Sequence, residues 1–377
     1  MKNIYFQTQA IKSVEDHFEG IQPISTPLYL STTFLRNPDG SYQEDFIYTR
    51  HDNPNRRILE KSLAQLENGT VAFAFASGMA AIHAVFQSLK TGDHVLLPDD
   101  VYYNIYLLVE SVFKDWGLEV SLVDCSDLEK VEKAIQSNTR LIWLETPSNP
   151  QLKITDIEGI VHLAKLHNIK IAVDNTWASP VLQRPLDLGA DIVMHSTTKY
   201  FGGHSDVLGG ALILKENETW ATKIKNIQTL SGAVPSPFDS WLVARGIQTL
   251  HLRVNAQSQT ALTLAQFLEQ HPEITQVNYP GLNSHPQHAI AQKQMPNGFG
   301  GMLSVLVKGD ATRAMQVASR LQYFRTATSL GGVESLVEHR KSVEGENSAT
   351  PDNLLRLSIG LEHVEDLKRD WKMALEG

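Results

Sequence analysis

From about residue 56 onward, short apolar runs typical of buried strands alternate with segments of helical spacing. The strand-like runs cover residues 71–76, 95–98, 120–123, 141–144, 171–174, 192–195 and 211–214. Between them, apolar side chains recur every three or four residues, as in 128–135 and 157–164, which is the spacing of one helix face. This alternation predicts an α/β fold, with a mainly parallel sheet flanked by helices on both faces.

The chain on either side of this alternation has a different pattern. Residues 1–55 contain scattered prolines and polar turns and predict an extended N-terminal arm. Residues 56–236 contain the alternating segments and predict the large domain. A long helix with breaks follows Pro237, and strands are then predicted at 302–307 and 354–359 with a helix at 311–321. Residues 237–377 therefore predict a smaller α+β C-terminal domain.

Charge and composition restrict the partners that the chain can bind. A formal net charge of −9 argues against nucleic acid, because phosphate backbones are bound by clustered Lys and Arg. No window approaches the roughly 18 apolar residues of a membrane span, so no membrane partner is expected. Cys125 is the single cysteine and cannot form an internal disulfide, which fits a reducing compartment. The N-terminus lacks the apolar segment of a signal peptide, so a cytoplasmic enzyme or binding protein is expected.

Three polar residues follow predicted strands and are candidates for a common site. Asn149 comes after strand 141–144, Asp174 ends strand 171–174, and Lys199 follows strand 192–195. Ligands of open α/β sheets bind outside the carboxyl ends of the strands. We therefore expect these three side chains to converge on one crevice.

The chemical types of these residues fit the cofactor pyridoxal 5′-phosphate (PLP). Lys199 offers an amine for a Schiff base and for later proton transfer. Asp174 offers the carboxylate that keeps the pyridine nitrogen protonated, so that the ring accepts electrons. Asn149 could hydrogen-bond the phenolic oxygen of the ring.

A phosphate site is predicted where residues 77–79 open a helix. Free backbone N–H groups and the helix dipole favour an anion there, and two hydroxyl side chains precede the lysine. The candidate phosphate-binding residues are Ser77, Gly78, Met79, Ser196 and Thr198. No metal site is expected. His285 and His288 resemble a metal-binding pair, but the intervening proline disrupts the helix on which such ligands usually lie, and no acidic third ligand is evident.

Eight motifs occur in an order that resembles one known family. They are YTRHDNPN, ASGMAAI, ETPSNP, VDNTWASP, HSTTKYFGGHSD, PFDSWLVARGIQTL, TSLGGVESL and RLSIGLE. Together they resemble the PLP-dependent enzymes of Cys/Met metabolism and trans-sulfuration, namely cystathionine γ-synthase, β-lyase and γ-lyase. The resemblance implies a fold-type I PLP-dependent transferase-like architecture. It also implies a homotetramer, a dimer of dimers with shared active sites.

The same resemblance implies roles for further residues. Tyr48 and Arg50 would reach the phosphate from the arm of the neighbouring subunit, and Tyr102 would stack on the pyridine ring and assist proton transfer. Arg356 would clamp the substrate α-carboxylate with its bidentate fork. Further substrate contacts are implied for Asn149, Ser329 and Glu334.

Two departures from the family pattern bear on the substrate. Residues 103–107 replace a Gly-Gly-Thr/Ser segment that is followed closely by arginine, and His51 replaces a second arginine of bacterial γ-synthases. The segment EHRKSVEGENSATPD at 338–352 replaces a His-Pro-Ala…Thr-His pattern and supplies Arg340 and Lys341. These two cations either replace the missing arginines or are solvated loop charges.

Three functions follow from these residues. The first is a carbon–sulfur lyase that cleaves the small sulfur amino acid L-cystathionine. β-Elimination is slightly favoured because its chemistry requires least of the site and the acyl-recognising arginines are missing, whereas Glu334 after Val333 resembles the γ-acting members. The second is a γ-replacement enzyme, cystathionine γ-synthase or an O-acylhomoserine sulfhydrylase. The third is a PLP-binding protein without catalysis, which the presence of Lys199, Asp174 and Arg356 disfavours.

Overall fold

The computed structural model describes residues 4–15, 23–215, 218–345, 348 and 350–376. Within these residues the chain forms two sheets. The strands of the larger sheet are β1 (Val71–Phe75), β2 (His94–Pro98), β3 (Glu119–Val123), β4 (Thr139–Glu145), β5 (Lys170–Asp174), β6 (Ile192–His195) and β7 (Gly210–Leu214). The strands of the smaller sheet are β8 (Ile274–Asn278), β9 (Met302–Val307), β10 (Arg325–Thr326), β11 (Leu336–His339) and β12 (Leu354–Ser358).

The helices lie between and around these strands. In chain order they are α1 (Phe6–Lys12), α2 (Pro54–Leu66), α3 (Gly78–Gln87), α4 (Tyr103–Leu108), α5 (Leu128–Ala134), α6 (Ile157–Leu166), α7 (Ser179–Leu182), α8 (Glu218–Ser231), α9 (Pro237–Ile247), α10 (Leu250–Glu269), α11 (His288–Gln294), α12 (Ala311–Arg320), α13 (Arg340–Glu344) and α14 (Val364–Glu376). A 3₁₀ turn, Gln43–Asp45, precedes α2, and a π-helical turn, Val109–Phe113, continues α4.

The larger sheet has the strand order β1-β7-β6-β5-β4-β2-β3. Strands β3, β2, β4, β5 and β6 pair in parallel, and β7 runs antiparallel to both of its neighbours. Strands β2, β6 and β7 are buried along their whole length, as apolar strands covered by helices on both faces must be. The predicted mainly parallel sheet is therefore confirmed.

The parallel strands place their carboxyl ends at one edge of the sheet, where the polar residues gather. Glu145, the last residue of β4, lies opposite Asp174, the last residue of β5. The chain leaves β6 at His195 and returns in β7 from Gly210, so the connection carrying Lys199 lies at this edge. A Cβ on Gly210 would come 2.2 Å from the carbonyl oxygen of Ser77. Glycine therefore lets β7 lie directly against the start of α3.

The smaller sheet has the order β10-β11-β12-β9-β8 and a core of its own, which includes fully buried Trp371 of α14. Its central strand β12 pairs antiparallel with β9 and β11. This register sets Arg356 of β12 directly opposite Glu338 of β11. The predicted α+β character of this region is therefore confirmed.

Two features differ from the sequence-based prediction. The predicted extended arm is wrong for residues 6–12, which form α1, because fully buried Ala10 and neighbouring Val14 give that segment an apolar helical face. Strands β8, β10 and β11 were not predicted, since their short mixed sequences lack a clear period. The boundaries of the predicted domains stay predictions. No helix of the described residues is long and apolar enough to cross a membrane.

Candidate active site

A cavity of about 390 Å³ opens between the carboxyl edge of the larger sheet and the smaller sheet. It brings together most of the residues that the sequence singled out. Those lining it are Ser77, Gly78, Met79, Tyr102, Asn149, Asp174, Ser196, Thr198, Lys199, Ser329 and Arg356. The predicted convergence of Asn149, Asp174 and Lys199 on one crevice is thus observed.

Lys199 is the central amine of this cavity. Its Nζ donates to Ser329 Oγ at 2.7 Å, and Ser329 is held at a φ of +92°, a conformation that favours glycine. Burial, together with the nearby Arg356 cation, lowers the pKa of Lys199 from its ordinary value of 10.5 to about 8. A neutral amine is therefore accessible close to neutral pH.

Asp174 faces the cavity from the end of β5 and is fixed by the next turn of chain. Its Oδ1 accepts the backbone N–H of Thr176 at 3.0 Å, and Thr176 Oγ1 accepts the N–H of Ser196 at 2.9 Å. Burial raises the pKa of Asp174, and the hydrogen bonds from Thr176 and the nearby His195 oppose that shift only in part. The position suits a carboxylate that would pair with a protonated ring nitrogen.

Glu145 is a second buried carboxyl of the site, and the sequence-based prediction missed it. It lines the cavity and accepts the backbone N–H of Tyr102 at 2.7 Å, which fixes the start of α4. Burial raises the pKa of Glu145, and the neighbouring Asp174 carboxylate raises it further. Its place at the end of a strand, like that of Asp174, was the signal that could have identified it.

Tyr102 projects its phenol into the same cavity. The phenol oxygen accepts a hydrogen bond from Asn104 Nδ2 at 2.7 Å. Burial raises the pKa of Tyr102, and the Arg340 cation opposes that shift. The phenol is therefore protonated at neutral pH and can donate its proton.

Arg356 enters the cavity from β12 and is surrounded by acceptors. It donates to Asn149 Oδ1 at 3.1 Å, to the carbonyl oxygen of Ser329 at 3.2 Å and to Glu338 Oε2 at 2.5 Å. Burial, together with the neighbouring Arg340 cation, lowers the pKa of Arg356 to about 10. The guanidinium stays charged at neutral pH and is held in one orientation.

Arg340 is a second guanidinium in the cavity, and the alternative of a solvated loop charge is wrong for it. The residue is only 3% exposed and pairs with Glu338 at 3.0 Å and Glu344 at 2.6 Å. Lys341, by contrast, does not line the cavity; its Nζ donates to the carbonyl oxygen of Ser348. The sequence could not separate these neighbours, because β11 and α13 together decide which of them points inward.

The residues at the other end of the cavity fit the phosphate of PLP. Ser77 caps α3 by accepting the N–H of Ala80 at 3.1 Å, so the first N–H groups of α3 point outward from its N-terminus. A Cβ on Gly78 would stand 3.0 Å from Ser196 Oγ, so glycine keeps this cradle open. Two hydroxyls, Ser196 and Thr198, complete a set of donors suited to a phosphate.

Three predicted residues lie outside the cavity. Glu334 accepts from Ser205 Oγ at 2.8 Å, and its predicted substrate contact stays a prediction. Arg50 donates to the carbonyl oxygen of Thr229 at 2.6 Å, and its guanidinium lies 5.7 Å from the ring of Tyr48, which is 43% exposed. The roles of Tyr48 and Arg50 in a neighbouring subunit also stay predictions.

Comparison with known proteins places this geometry among described families. Residues 7–376 match the family described as Cys/Met metabolism PLP-dependent enzyme. The chain is 48% identical to cystathionine gamma-synthase of Mycobacterium leprae, with 93% of this chain and 92% of that protein covered. It is 45% identical to cystathionine beta-lyase of Coxiella burnetii, with 93% of each covered.

A solved structure is similar over almost the same length. It is cystathionine gamma synthase from Xanthomonas oryzae pv. oryzae in complex with cystathionine. The TM-score is 0.95 and the sequence identity 37%, with 100% of this chain and 98% of that chain covered.

Proposed function

The chain belongs to the Cys/Met metabolism PLP-dependent enzyme family, and on that premise we propose that it is a carbon–sulfur lyase that cleaves L-cystathionine by β-elimination. L-cystathionine and water would give L-homocysteine, pyruvate and ammonia. The observation that carries the proposal is the buried amine of Lys199 in the same cavity as Arg356 and Tyr102. β-Elimination requires the removal of only one carbon-bound proton, the one on Cα. Lys199, Arg356 and Tyr102 meet that requirement.

The cofactor site is proposed to use residues from both ends of the cavity. PLP, when bound, supplies an electron-accepting ring that stabilises negative charge at the substrate Cα. Asp174 would pair with the ring nitrogen, and Asn149 would donate to the phenolic oxygen. The start of α3 with Ser77, Gly78 and Met79 would bind the phosphate, and so would the hydroxyls of Ser196 and Thr198.

Lys199 would move the proton of the reaction. Its amine has a pKa of about 8, so a useful fraction is neutral near pH 7 and can take the Cα proton. The Cβ–S bond then breaks, and sulfur leaves with the bonding electron pair. Tyr102, protonated because burial raises its pKa, is the neighbouring group able to give the departing thiolate a proton.

Arg356 would orient the substrate by binding its α-carboxylate. Its contacts with Asn149 and with the Ser329 carbonyl hold the guanidinium plane in place, and a fixed fork binds a carboxylate with little loss of side-chain entropy. Since Ser329 Oγ also contacts Lys199, one loop sets the carboxylate-binding group and the base relative to each other.

A second candidate is γ-replacement, by which cysteine or sulfide would displace the γ-substituent of an activated homoserine. The similarity to the M. leprae gamma-synthase at 48% identity favours it. Against it, residues 103–107 and His51 occupy positions where arginines of γ-synthases would face the acyl group, although Arg340 supplies a guanidinium to the cavity from another element.

We further propose a homotetramer with shared active sites. Several large apolar side chains of the arm are exposed in the isolated chain, among them Ile24 at 99% and Leu35 at 94%. An apolar surface of this kind is typically covered by a partner, and a second copy of the chain would cover it while bringing Tyr48 and Arg50 to the neighbouring phosphate.

Incubation of the PLP-loaded protein with L-cystathionine, followed by mass spectrometry, tests the proposed activity. Pyruvate and homocysteine are expected. 2-Oxobutyrate with cysteine would identify γ-elimination instead. An intact substrate, together with conversion of an O-acylhomoserine and cysteine into cystathionine, would rule out the lyase and establish γ-replacement. Lys199→Ala is the control that should form none of these products.

A further inference from the structure

We propose that Arg340 is a specificity-determining residue that binds a second carboxylate, so that the cavity selects an amino acid carrying a carboxylate at each end. The inference rests on the proposed function in one respect, which is that the substrate α-carboxylate binds Arg356. It adds the chemistry of the far end of the substrate and the residue that recognises it.

The Arg340 guanidinium has N–H groups that the described residues do not use. The residue begins α13 and lines the cavity together with Val343 and Glu344. Among the described residues its guanidinium makes three hydrogen bonds, from Nε and Nη2 to Glu344 Oε1 and from Nη1 to Glu338 Oε2. A guanidinium carries five N–H donors, so two are left for a ligand in the cavity.

The position of Arg340 is set before any ligand binds. Glu344 Oε1 accepts both Nε and Nη2 of Arg340, while Glu344 Oε2 accepts the hydroxyls of Ser348 and Thr350, each at 2.6 Å. Glu344 is therefore fixed by four hydrogen bonds, and it in turn fixes the Arg340 guanidinium. A cation fixed in this way loses little side-chain conformational entropy when it binds a carboxylate.

Arg340 and Arg356 form a pair within one cavity. Both donate to the same oxygen, Glu338 Oε2, at 3.0 and 2.5 Å, so the two guanidinium groups flank a single carboxylate oxygen. Since both anchored guanidinium groups line one cavity, each can bind one carboxylate of a ligand that carries two. Glu338 and Glu344 already balance the two positive charges, so a zwitterionic second end, as in a thioether joining two amino acids, fits better than a simple diacid.

The competing interpretation is that Arg340 only braces Glu338 and thereby Arg356. A brace acts on every ligand that uses Arg356, because it changes the α-carboxylate site that all of them share. A recognition residue changes affinity only for ligands that carry the second carboxylate. The two roles therefore differ in a measurable way.

Binding of three amino acids to the PLP-loaded protein distinguishes these roles. The ligands are L-cystathionine and the two amines lacking one of its carboxylates, S-(2-aminoethyl)-L-homocysteine and S-(3-aminopropyl)-L-cysteine, which cover both orientations. Affinities are read from the cofactor's visible absorbance by stopped flow before turnover. Since a charge-assisted hydrogen bond contributes a few kcal/mol, the wild type should prefer cystathionine by roughly 10- to 100-fold.

Arg340→Met should abolish this preference and leave the affinity for both amines unchanged. Arg340→Lys, which keeps the charge without the planar fork, should retain part of it and serves as the folded substitute if Arg340→Met does not fold. Lys341→Met removes the neighbouring cation outside the cavity and should retain all of it.

Two results would overturn the proposal. One is equal weakening of all three ligands by Arg340→Met, which identifies a brace. The other is a wild type that binds the amines as well as cystathionine. Because the readout is binding and not cleavage, failure of the lyase activity in the product assay is detected separately.

Discussion

Lys199 is positioned by two different parts of the chain, and its environment determines when it can react. Ser196 accepts its backbone N–H at 3.1 Å, whereas its side-chain amine contacts Ser329 Oγ at 2.7 Å. The position of the lysine after β6 was predictable, because HSTTKY follows an apolar run. The lowered pKa was not, since burial and the neighbouring arginines arise only in the folded protein.

The lowered pKa predicts how cofactor uptake depends on pH. Only the neutral amine bonds to the PLP aldehyde, and its fraction grows as the pH rises towards a pKa of about 8. The rate of PLP incorporation into cofactor-free protein should therefore rise about tenfold per pH unit below that value and level off above it. Stopped-flow absorbance from pH 6.5 to 10 measures this.

A rate that kept rising up to pH 10 would mean that the amine has its ordinary pKa and that burial does not act as described. Lys199→Ala provides the baseline. After borohydride reduction, no cofactor should remain attached to its peptides by mass spectrometry.

At the scale of elements, the carboxyl end of β4 connects the sheet to a helix that the sequence did not reveal. Glu145 ends β4 and accepts the N–H of Tyr102, which precedes α4. The short segment of α4 has no side-chain cap, and its tyrosines and leucines fit several structures equally well. A tertiary contact, and not local propensity, therefore sets where α4 begins and where the Tyr102 phenol points.

Glu145→Ala should loosen α4, because it leaves a buried N–H without its acceptor. Loss of such a contact costs roughly 1–3 kcal/mol, so amide exchange of residues 102–108 should accelerate about tenfold or more. Glu145→Gln keeps an acceptor oxygen and should exchange at close to the wild-type rate. Hydrogen–deuterium exchange mass spectrometry measures both variants. Equal acceleration in the two variants would show that the carboxylate charge, and not the hydrogen bond, holds α4.

At the scale of the whole molecule, the cavity exists because two sheets meet. The larger sheet provides Asp174 and the loop of Lys199, and the smaller sheet provides Arg356 and Arg340. Asn149 Oδ1 and Arg356 Nη1 are 3.1 Å apart across 207 positions of sequence. The two arm residues Tyr48 and Arg50 lie outside the cavity of their own chain, which is compatible with the proposed sharing of sites between subunits.

Mixing two inactive variants tests that sharing. Lys199→Ala lacks the base, and Arg50→Ala lacks the arm cation, so each alone should lose most activity. In a mixed dimer, one site regains both residues, and co-expression at equal levels should restore about a quarter of wild-type activity. As a control, co-expression of Lys199→Ala with a Lys199→Ala/Arg50→Ala double variant should restore no activity. Absence of recovery in the first mixture would show that Arg50 serves its own subunit.

The sequence by itself determined the fold class, because apolar periodicity follows directly from the need to bury strands and helix faces. The positions of Lys199 and Asp174 followed as well, since both come directly after such strands. The site roles of Tyr102, Ser329 and Arg356 were implied by the resemblance to a known family, and not by periodicity. Only the tertiary structure decided that Arg340 faces the cavity while Lys341 does not, and that Glu338 joins Arg340 to Arg356. These outcomes depend on strand register and on contacts between distant segments, which local spacing does not encode.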